Sequence, residues 1–309
     1  MPRVLNMFGD KVREAALTVP GVEVVDLPFE AAPPSDLQGE VLFAAWVGSP
    51  VYDHLDDLGV EWMHLPATGV DAWPRALLEG RTVTCARGAS GIPIAEFVLA
   101  CMLAFEKRLP ETWLDEPTEQ WNVARLGEVK GKTVGIVGLG GIGIEVAKRA
   151  LVFDMRVRAL RRRPAAGSPL AGVELAGDLG DLLESADHVV IAAPATAATQ
   201  HLIDAAALDR MKPGAHLVNV ARGTLVDQDA LRAALDDGRV AMASLDTVDP
   251  EPLPAGHWMY GHPKVRLSAH VSWSSPRAFD RIIDSFLVNL RHFVAGEPLE
   301  GVIDVDEGY

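Results

Sequence analysis

An apolar run that turns through three spaced glycines into a helical pattern constrains this chain more than any other feature. Residues 132–163 read KTVGIVGLGGIGIEVAKRALVFDMRVRALRRR. The β-favouring run 134–137 leads into Gly138-x-Gly140-x-x-Gly143, then Ile144, Ala147 and Leu151 recur at helical spacing, and a second β-favouring run follows at 157–160. That is strand, tight turn, helix and strand within the ~30 residues a parallel crossover needs. Gly138 permits the turn, Gly140 lets backbone approach a pyrophosphate, and Gly143 lets helix and strand pack closely. The diphosphate would rest on the N–H groups that open the helix. Glycines so spaced also mark ordinary turns, so the flanking elements carry the dinucleotide reading. An acid closing the second strand suits a free ribose 2′-hydroxyl, and arginine suits a 2′-phosphate. Here stand Arg161, Arg162 and Arg163 with no acid, so NADP(H) is expected in preference to NAD(H). A solvated basic loop would read the same way.

The 309 residues suffice for two domains, each with its own core. A formal net charge of −15 argues against nucleic acid or an anionic membrane as partner. A small anionic substrate needs only a local basic pocket, which Arg222 could supply. Cys85 and Cys101 sit in apolar surroundings without metal-ligand or CxxC spacing, as expected of reduced thiols in a cytoplasmic protein. The N-terminus has no apolar stretch of signal-peptide length, and the apolar run 97–105 is too short to span a bilayer. The nine histidines form no metal-binding pattern, so no metal is expected.

Along the chain, strand-like runs at 4–8, 22–26, 41–46, 62–65 and 82–85 alternate with amphipathic segments such as 11–17 and 51–58. Such alternation predicts a parallel sheet with helices on both faces. The turn 66–71, containing Thr68 and Gly69, follows the fourth strand, at the edge where open α/β sheets bind ligands. Its N–H groups could hold a carboxylate, although a plain connection would look alike. Helical spacing over 92–109 tolerates Pro93 in its first turn and stops at Pro110. The segment 111–126 carries Trp113 and Trp121 with little periodicity, either an arm over a partner subunit or a wrap around its own core. After the glycine unit, helical stretches at 181–184, 205–211 and 227–236 alternate with strand-like runs at 187–193, 215–220, 241–245 and 265–268. The count fits a doubly wound sheet of six or seven strands. The last helix, expected over 276–294, lines up Ile282, Ile283, Phe286, Leu287, Leu290 and Val294 on one face and ends at Gly296 and Pro298.

Three candidate chemical groups fall just past successive strands of the second half: Arg222 in NVARG, Glu251 in LDTVDPEPLP and His270 in LSAHVSW. An arginine offers a carboxylate two parallel bonds, a histidine exchanges a proton near neutral pH, and a glutamate can orient an imidazole. Singly, each also reads as a turn residue, a solvated loop acid and a core histidine. Together, at corresponding strand ends, they suit a 2-oxo acid.

With VGIVGLGGIGIEVAKRA, AAPAT, NVARGTLVD, LDTVDPEPLP and SAHVSW in this order, the chain resembles the D-isomer-specific 2-hydroxyacid dehydrogenase family along nearly its whole length. The resemblance implies a Rossmann cofactor domain, 98–274, inserted into a discontinuous flavodoxin-like substrate domain made of 1–97 and 275–309. It implies that Arg222 holds the substrate carboxylate, that His270 is the proton donor in reduction, and that Glu251 pairs with His270. Cofactor contacts would come from Gly138, Gly140, Gly141, Ile142, Gly143, Arg161, Arg162, Arg163, Pro194, Thr196, Ala221 and Asp246. Trp46, Thr68, Gly69 and Trp273 would join Arg222 around the substrate. A homodimer built on the cofactor domains is implied as well. Glu251 is similar to the hydroxyacid enzymes and unlike the formate branch, which has Gln there. The arginine cluster and the ending VIDVDEGY are similar to the glyoxylate and hydroxypyruvate reductases. Two departures stand out: the acid missing at Arg161, and Trp273 where smaller residues are usual. The expected activity is reduction of a small 2-oxo acid. A dinucleotide-sensing module without turnover and a dehydrogenase for an inorganic oxyanion such as phosphite share these residues.

Overall fold

A computed structural model describes residues 1–119, 121–123, 125–162 and 167–309. They divide into two units, Met1–Ser90 with Ser275–Tyr309, and Gly91–Ser274. The first division falls at Gly91, ahead of the expected boundary at 97/98. Helix α3, introduced below, is one unbroken element, and it belongs whole to the second unit.

In the first unit, strands β1 (Arg3–Asn6), β2 (Glu23–Asp26), β3 (Val41–Phe43), β4 (Trp62–Leu65) and β5 (Thr82–Cys85) form a parallel sheet in the order 2-1-3-4-5. This is the flavodoxin-like order expected from the resemblance. Helices α1 (Asp10–Ala16) and α2 (Arg75–Leu78) belong to its crossovers, while the expected helix at 51–58 is only a 3₁₀ turn, Pro50–His54. Both sheet faces are buried, as parallel sheets require. One face carries Leu5, Leu42, Met63 and Val83 against Leu55, Leu58 and Trp73. The other carries Val4, Val41, Phe43 and Trp62 against Ile282, Ile283, Phe286 and Leu290 of the C-terminal helix, Ala278–Ala295. Phe286 meets Phe43 edge-on at 4.8 Å and stacks on Trp62 at 5.4 Å. The chain's two ends therefore share one core, and Gly296 closes the helix in the left-handed region.

The second unit opens with α3 (Gly91–Lys107) and holds a seven-stranded parallel sheet. Its strands are β6 (Thr133–Val137), β7 (Arg156–Leu160), β8 (Val173–Leu175), β9 (His188–Ile191), β10 (Ala215–Asn219), β11 (Val240–Leu245) and β12 (Val265–Leu267), in the order 12-11-10-9-6-7-8. Strand β8 is one that pattern reading did not find. Helices α3 and α4 (Gly141–Val152) pack on one face. Helices α5 (Leu179–Ser185), α6 (Ala205–Arg210) and α7 (Gln228–Asp236) pack on the other. This is the Rossmann arrangement, with the strand order reversing between β6 and β9, where ligands bind in such sheets. The C-terminal helix of the first unit is thus α8. Trp113 and Trp121 in the 111–126 segment are exposed, so these rings do not wrap a core. Among the described residues, no helix is long and apolar enough to cross a membrane.

Candidate active site

Register brings the site loops of the second unit to one edge. Val137 pairs with both Leu160 and Ile191, Ile191 with Asn219, Asn219 with Leu245, and Leu245 with Leu267. Six strands therefore end at one level, and Gly138, Arg161, Arg222, Asp246 and His270 lie within three residues of those ends.

The glycines occupy the conformations expected of them. Gly138 has φ +102°, and a Cβ there would lie 2.7 Å from the backbone N of Ala193. At Gly143 a Cβ would lie 2.2 Å from the carbonyl oxygen of Gly138. At Gly140 it would meet nothing within 4 Å, so open space fronts the turn. The first turn of α4 has no side-chain cap, and its earliest helical bond is Ile144 N–H to the Gly140 carbonyl at 2.9 Å. The N–H groups of Gly141, Ile142 and Gly143 thus lack partners within the helix. An open cradle of this kind fits a dinucleotide pyrophosphate. Beyond β7, Arg161 donates to the Gly167 carbonyl at 2.7 Å, and Arg162 is exposed; Arg163 lies outside the described residues. Past β9, the Thr199 hydroxyl ties the loop by accepting from Thr196 N–H at 2.8 Å and donating to the Pro194 carbonyl at 2.7 Å.

Buried Asn219 shapes the turn at Arg222. Its Oδ1 accepts from Ala221 N–H at 3.0 Å and its Nδ2 donates to the Arg222 carbonyl at 2.9 Å. The Arg222 guanidinium, half-buried, donates to the Ala221 carbonyl at 2.8 Å.

His270 Nδ1 lies 2.8 Å from Glu251 Oε2, and the other Glu251 oxygen accepts from Val248 N–H at 3.1 Å. A carboxylate at Nδ1 fixes that nitrogen as the donor and leaves Nε2 to exchange a proton. Both side chains keep more than a third of their surface exposed, enough for access by a small molecule. His270 itself adopts φ +53°, a left-handed conformation that non-glycine residues avoid. Three contacts hold it there. Its N–H bonds to the Asp246 carbonyl at 2.9 Å, the Trp273 indole donates to its carbonyl at 2.9 Å, and the Asp246 carboxylate ties its neighbours. That carboxylate, 1% exposed, accepts from the Ser268 hydroxyl at 2.5 Å, Val271 N–H at 2.9 Å and Ser272 N–H at 3.0 Å. Burial opposes its ionisation, but the bonds from Ser268, Ser272 and Val271 prevail and hold the carboxyl below its ordinary range.

Two of the expected site residues make these contacts. Asp246, expected among the cofactor contacts, has both carboxylate oxygens turned to the His270 loop, because they are buried among that loop's donors. Trp273, expected around the substrate, has its indole N–H committed to His270, although the ring remains 47% exposed. Trp46, Thr68 and Gly69 lie in the first unit, just past β3 and β4. The Trp46 ring is exposed and sits edge-on to Phe8 at 6.0 Å. Pattern reading missed Asn219 and the bracing role of Asp246; a polar residue at the end of an otherwise apolar strand was the available signal. Among the described residues, no cluster of three His, Cys, Asp or Glu could hold a metal ion.

Comparison with known proteins agrees with this fold. The model for "D-isomer specific 2-hydroxyacid dehydrogenase, NAD binding domain" matches residues 99–272. A glyoxylate reductase of Thermofilum pendens is 36% identical over 232 residues, covering 72% of this chain and 68% of that protein. A D-isomer-specific 2-hydroxyacid dehydrogenase of Xanthobacter autotrophicus Py2, solved with NADPH and MES, superposes with a TM-score of 0.85 at 25% identity, covering 100% of this chain and 99% of that one. An NADPH-dependent glyoxylate/hydroxypyruvate reductase of Sinorhizobium meliloti, solved with NADP and sulfate, gives 0.83 at 25% identity over 100% of both chains.

Proposed function

The chain belongs to the D-isomer-specific 2-hydroxyacid dehydrogenase family of NAD(P)-dependent oxidoreductases, and from that premise we propose that it reduces a small 2-oxo acid of the glyoxylate or hydroxypyruvate kind to the D-2-hydroxy acid, preferring NADPH to NADH. The observation that carries this reading is the 2.8 Å His270–Glu251 pair, on the loops that follow β12 and β11, with Arg222 just past neighbouring β10. When bound, the nicotinamide supplies the hydride. Arg222 binds the substrate carboxylate through its planar fork and draws charge toward the carbonyl. His270 delivers a proton from Nε2 to the nascent alkoxide, and Glu251 stabilises the imidazolium before that transfer. In the oxidative direction, neutral His270 takes the proton back. Asp246 and Trp273 keep the imidazole in place throughout. The preference for NADPH is supported by Arg161 and Arg162 at the end of β7, where a 2′-phosphate would meet guanidinium groups and no acid. The NADPH and NADP of the two solved relatives point the same way. Exposed Trp113, Leu114 and Trp121 support a homodimer in which this arm covers a partner, and the free thiols Cys85 and Cys101 support a cytoplasmic setting.

A steady-state panel tests the reading: glyoxylate, hydroxypyruvate, pyruvate and bulkier 2-oxo acids, each with NADPH and NADH, beside phosphite oxidation. The highest kcat/KM is expected for glyoxylate or hydroxypyruvate with NADPH. Turnover confined to phosphite or bulky acids would overturn the substrate, and equal use of both cofactors would overturn the preference.

A further inference from the structure

The loop that presents Glu251 has no helical or strand ladder to hold it. It leaves β11 at Asp246, and residues 249–252 are exposed. A carboxylate on a loose loop would sample many positions, yet pairing with His270 requires one. Two contacts from the Arg222 segment supply the constraint. Gly223 lies so close to this loop that a Cβ would fall 1.9 Å from the carbonyl carbon of Val248. Five residues on, the Gln228 side chain grips Asp249 at both of its backbone polar groups. Asp249 N–H donates to Gln228 Oε1 at 3.3 Å, and Gln228 Nε2 donates to the Asp249 carbonyl. The near end of this clamp is itself anchored, because Gln228 opens α7 directly after its cap. There Asp227 Oδ1 accepts from Asp229 N–H at 3.1 Å and Ala230 N–H at 3.0 Å. The far end sits next to Val248, whose N–H holds the second oxygen of Glu251.

We propose that Gln228 is a positioning residue for the reaction, using its side-chain amide as a surrogate strand that locks the Glu251 loop to the Arg222 turn. The inference rests on the reading of Glu251 as the partner of His270. Gln228 touches neither substrate nor cofactor in this account; it acts through Glu251. The chemistry demands a group that donates and accepts side by side. An amide does this at every pH. A carboxyl does it only when protonated, since an ionised carboxylate would set a second acceptor against the Asp249 carbonyl.

The test measures kcat, KM for glyoxylate (or for hydroxypyruvate, if that turns over faster) and the pH profile at saturating NADPH. Gln228→Leu, Gln228→Glu and Gln228→Leu combined with Glu251→Ala are compared with the unaltered protein and with Glu251→Ala, and thermal unfolding checks that each is folded. Gln228→Leu is expected to lower kcat roughly 10- to 100-fold, the scale of a small misplacement of a catalytic group, with little change in KM. In the Glu251→Ala background the same substitution is expected to cost almost nothing further, because there is no carboxylate left to place. Gln228→Glu is expected to regain activity as pH falls and its carboxyl takes up a proton. Gln228→Leu at the unaltered rate, or an equal loss in both backgrounds, would overturn the inference alone. Glu251→Ala at the unaltered rate would overturn the reading of Glu251 and this inference with it.

Discussion

A histidine held at φ +53° costs about 1–3 kcal/mol of backbone strain, so His270 keeps its place only because its surroundings over-determine it. The buried Asp246 carboxylate is the largest of those constraints. Asp246→Asn replaces an acceptor with a donor among three donors, and should lower stability by on the order of 1–3 kcal/mol while also lowering kcat; urea unfolding and steady-state rates check both. Unchanged kinetics would mean that the loop holds His270 without it. Arg222→Lys keeps charge but loses the planar fork, so kcat/KM for the 2-oxo acid should fall sharply with unfolding unaltered. Kinetics equal to the unaltered protein would remove Arg222 from the site. Replacing Arg161 and Arg162 together by Ala should cost on the order of 1 to 3 kcal/mol of the NADPH preference, read from the ratio of kcat/KM with the two cofactors. At this scale the sequence disclosed residues whose chemistry is rare in their setting. An arginine, a glutamate and a histidine just past strand ends are visible in one dimension. The bracing roles of Asn219, Asp246 and Gln228 were not, because each acts through backbone groups of a loop or turn whose geometry only the folded sheet supplies.

Among the elements, the strand–turn–helix at β6 and α4 was the most legible, since each glycine answers a local steric demand. The same demands separate two substitutions. Gly143→Ala drives a methyl to 2.2 Å from a carbonyl oxygen and should destabilise the protein by about 1–3 kcal/mol. Gly140→Ala points its methyl into open space from an extended backbone, so unfolding should change little. The methyl would instead stand where a pyrophosphate approaches, and NADPH affinity measured by fluorescence titration should drop. Tight binding by Gly140→Ala would show that the cradle does not seat the phosphates. Helix α8 was legible for another reason: Ile282, Ile283, Phe286 and Leu290 mark one face at helical spacing, and that face is the buried one. Strand β8 has three residues, with Glu174 exposed between Val173 and Leu175, too short a run to show a period. The 51–58 segment reads as helix by apolar spacing, but the structure holds only a 3₁₀ turn, opening with Pro50 after the Ser49 cap.

The molecule as a whole carries buried histidines in both units. His64, fully buried among Phe43, Trp62 and Phe286, bonds Thr84 Oγ1 at 2.8 Å, and burial pushes its imidazole down to about 3. Burial first, then the charges of His188 and Arg266, push His216 well below its ordinary value. Both remain neutral in the fold, whereas the unfolded chain takes up protons once pH drops below about 6.5. Stability is therefore fully present above that pH and is lost as acid is added toward the folded values, by up to about 1.4 kcal/mol per pH unit for each histidine. Urea unfolding between pH 5 and 7.5 should show this slope, and His64→Phe should flatten it; an unchanged slope would mean that His64 does not report the difference. The proton that accompanies the hydride is followed most directly in the pH dependence of kcat for reduction of the preferred 2-oxo acid, in the unaltered protein and in His270→Ala. The rate should fall as pH rises, because the transfer needs an imidazolium, and His270→Ala should be slower by roughly 10²- to 10⁴-fold with that limb gone. A His270→Ala protein that reduces the same acid at the unaltered rate, with the same profile, would mean that the proton comes from elsewhere.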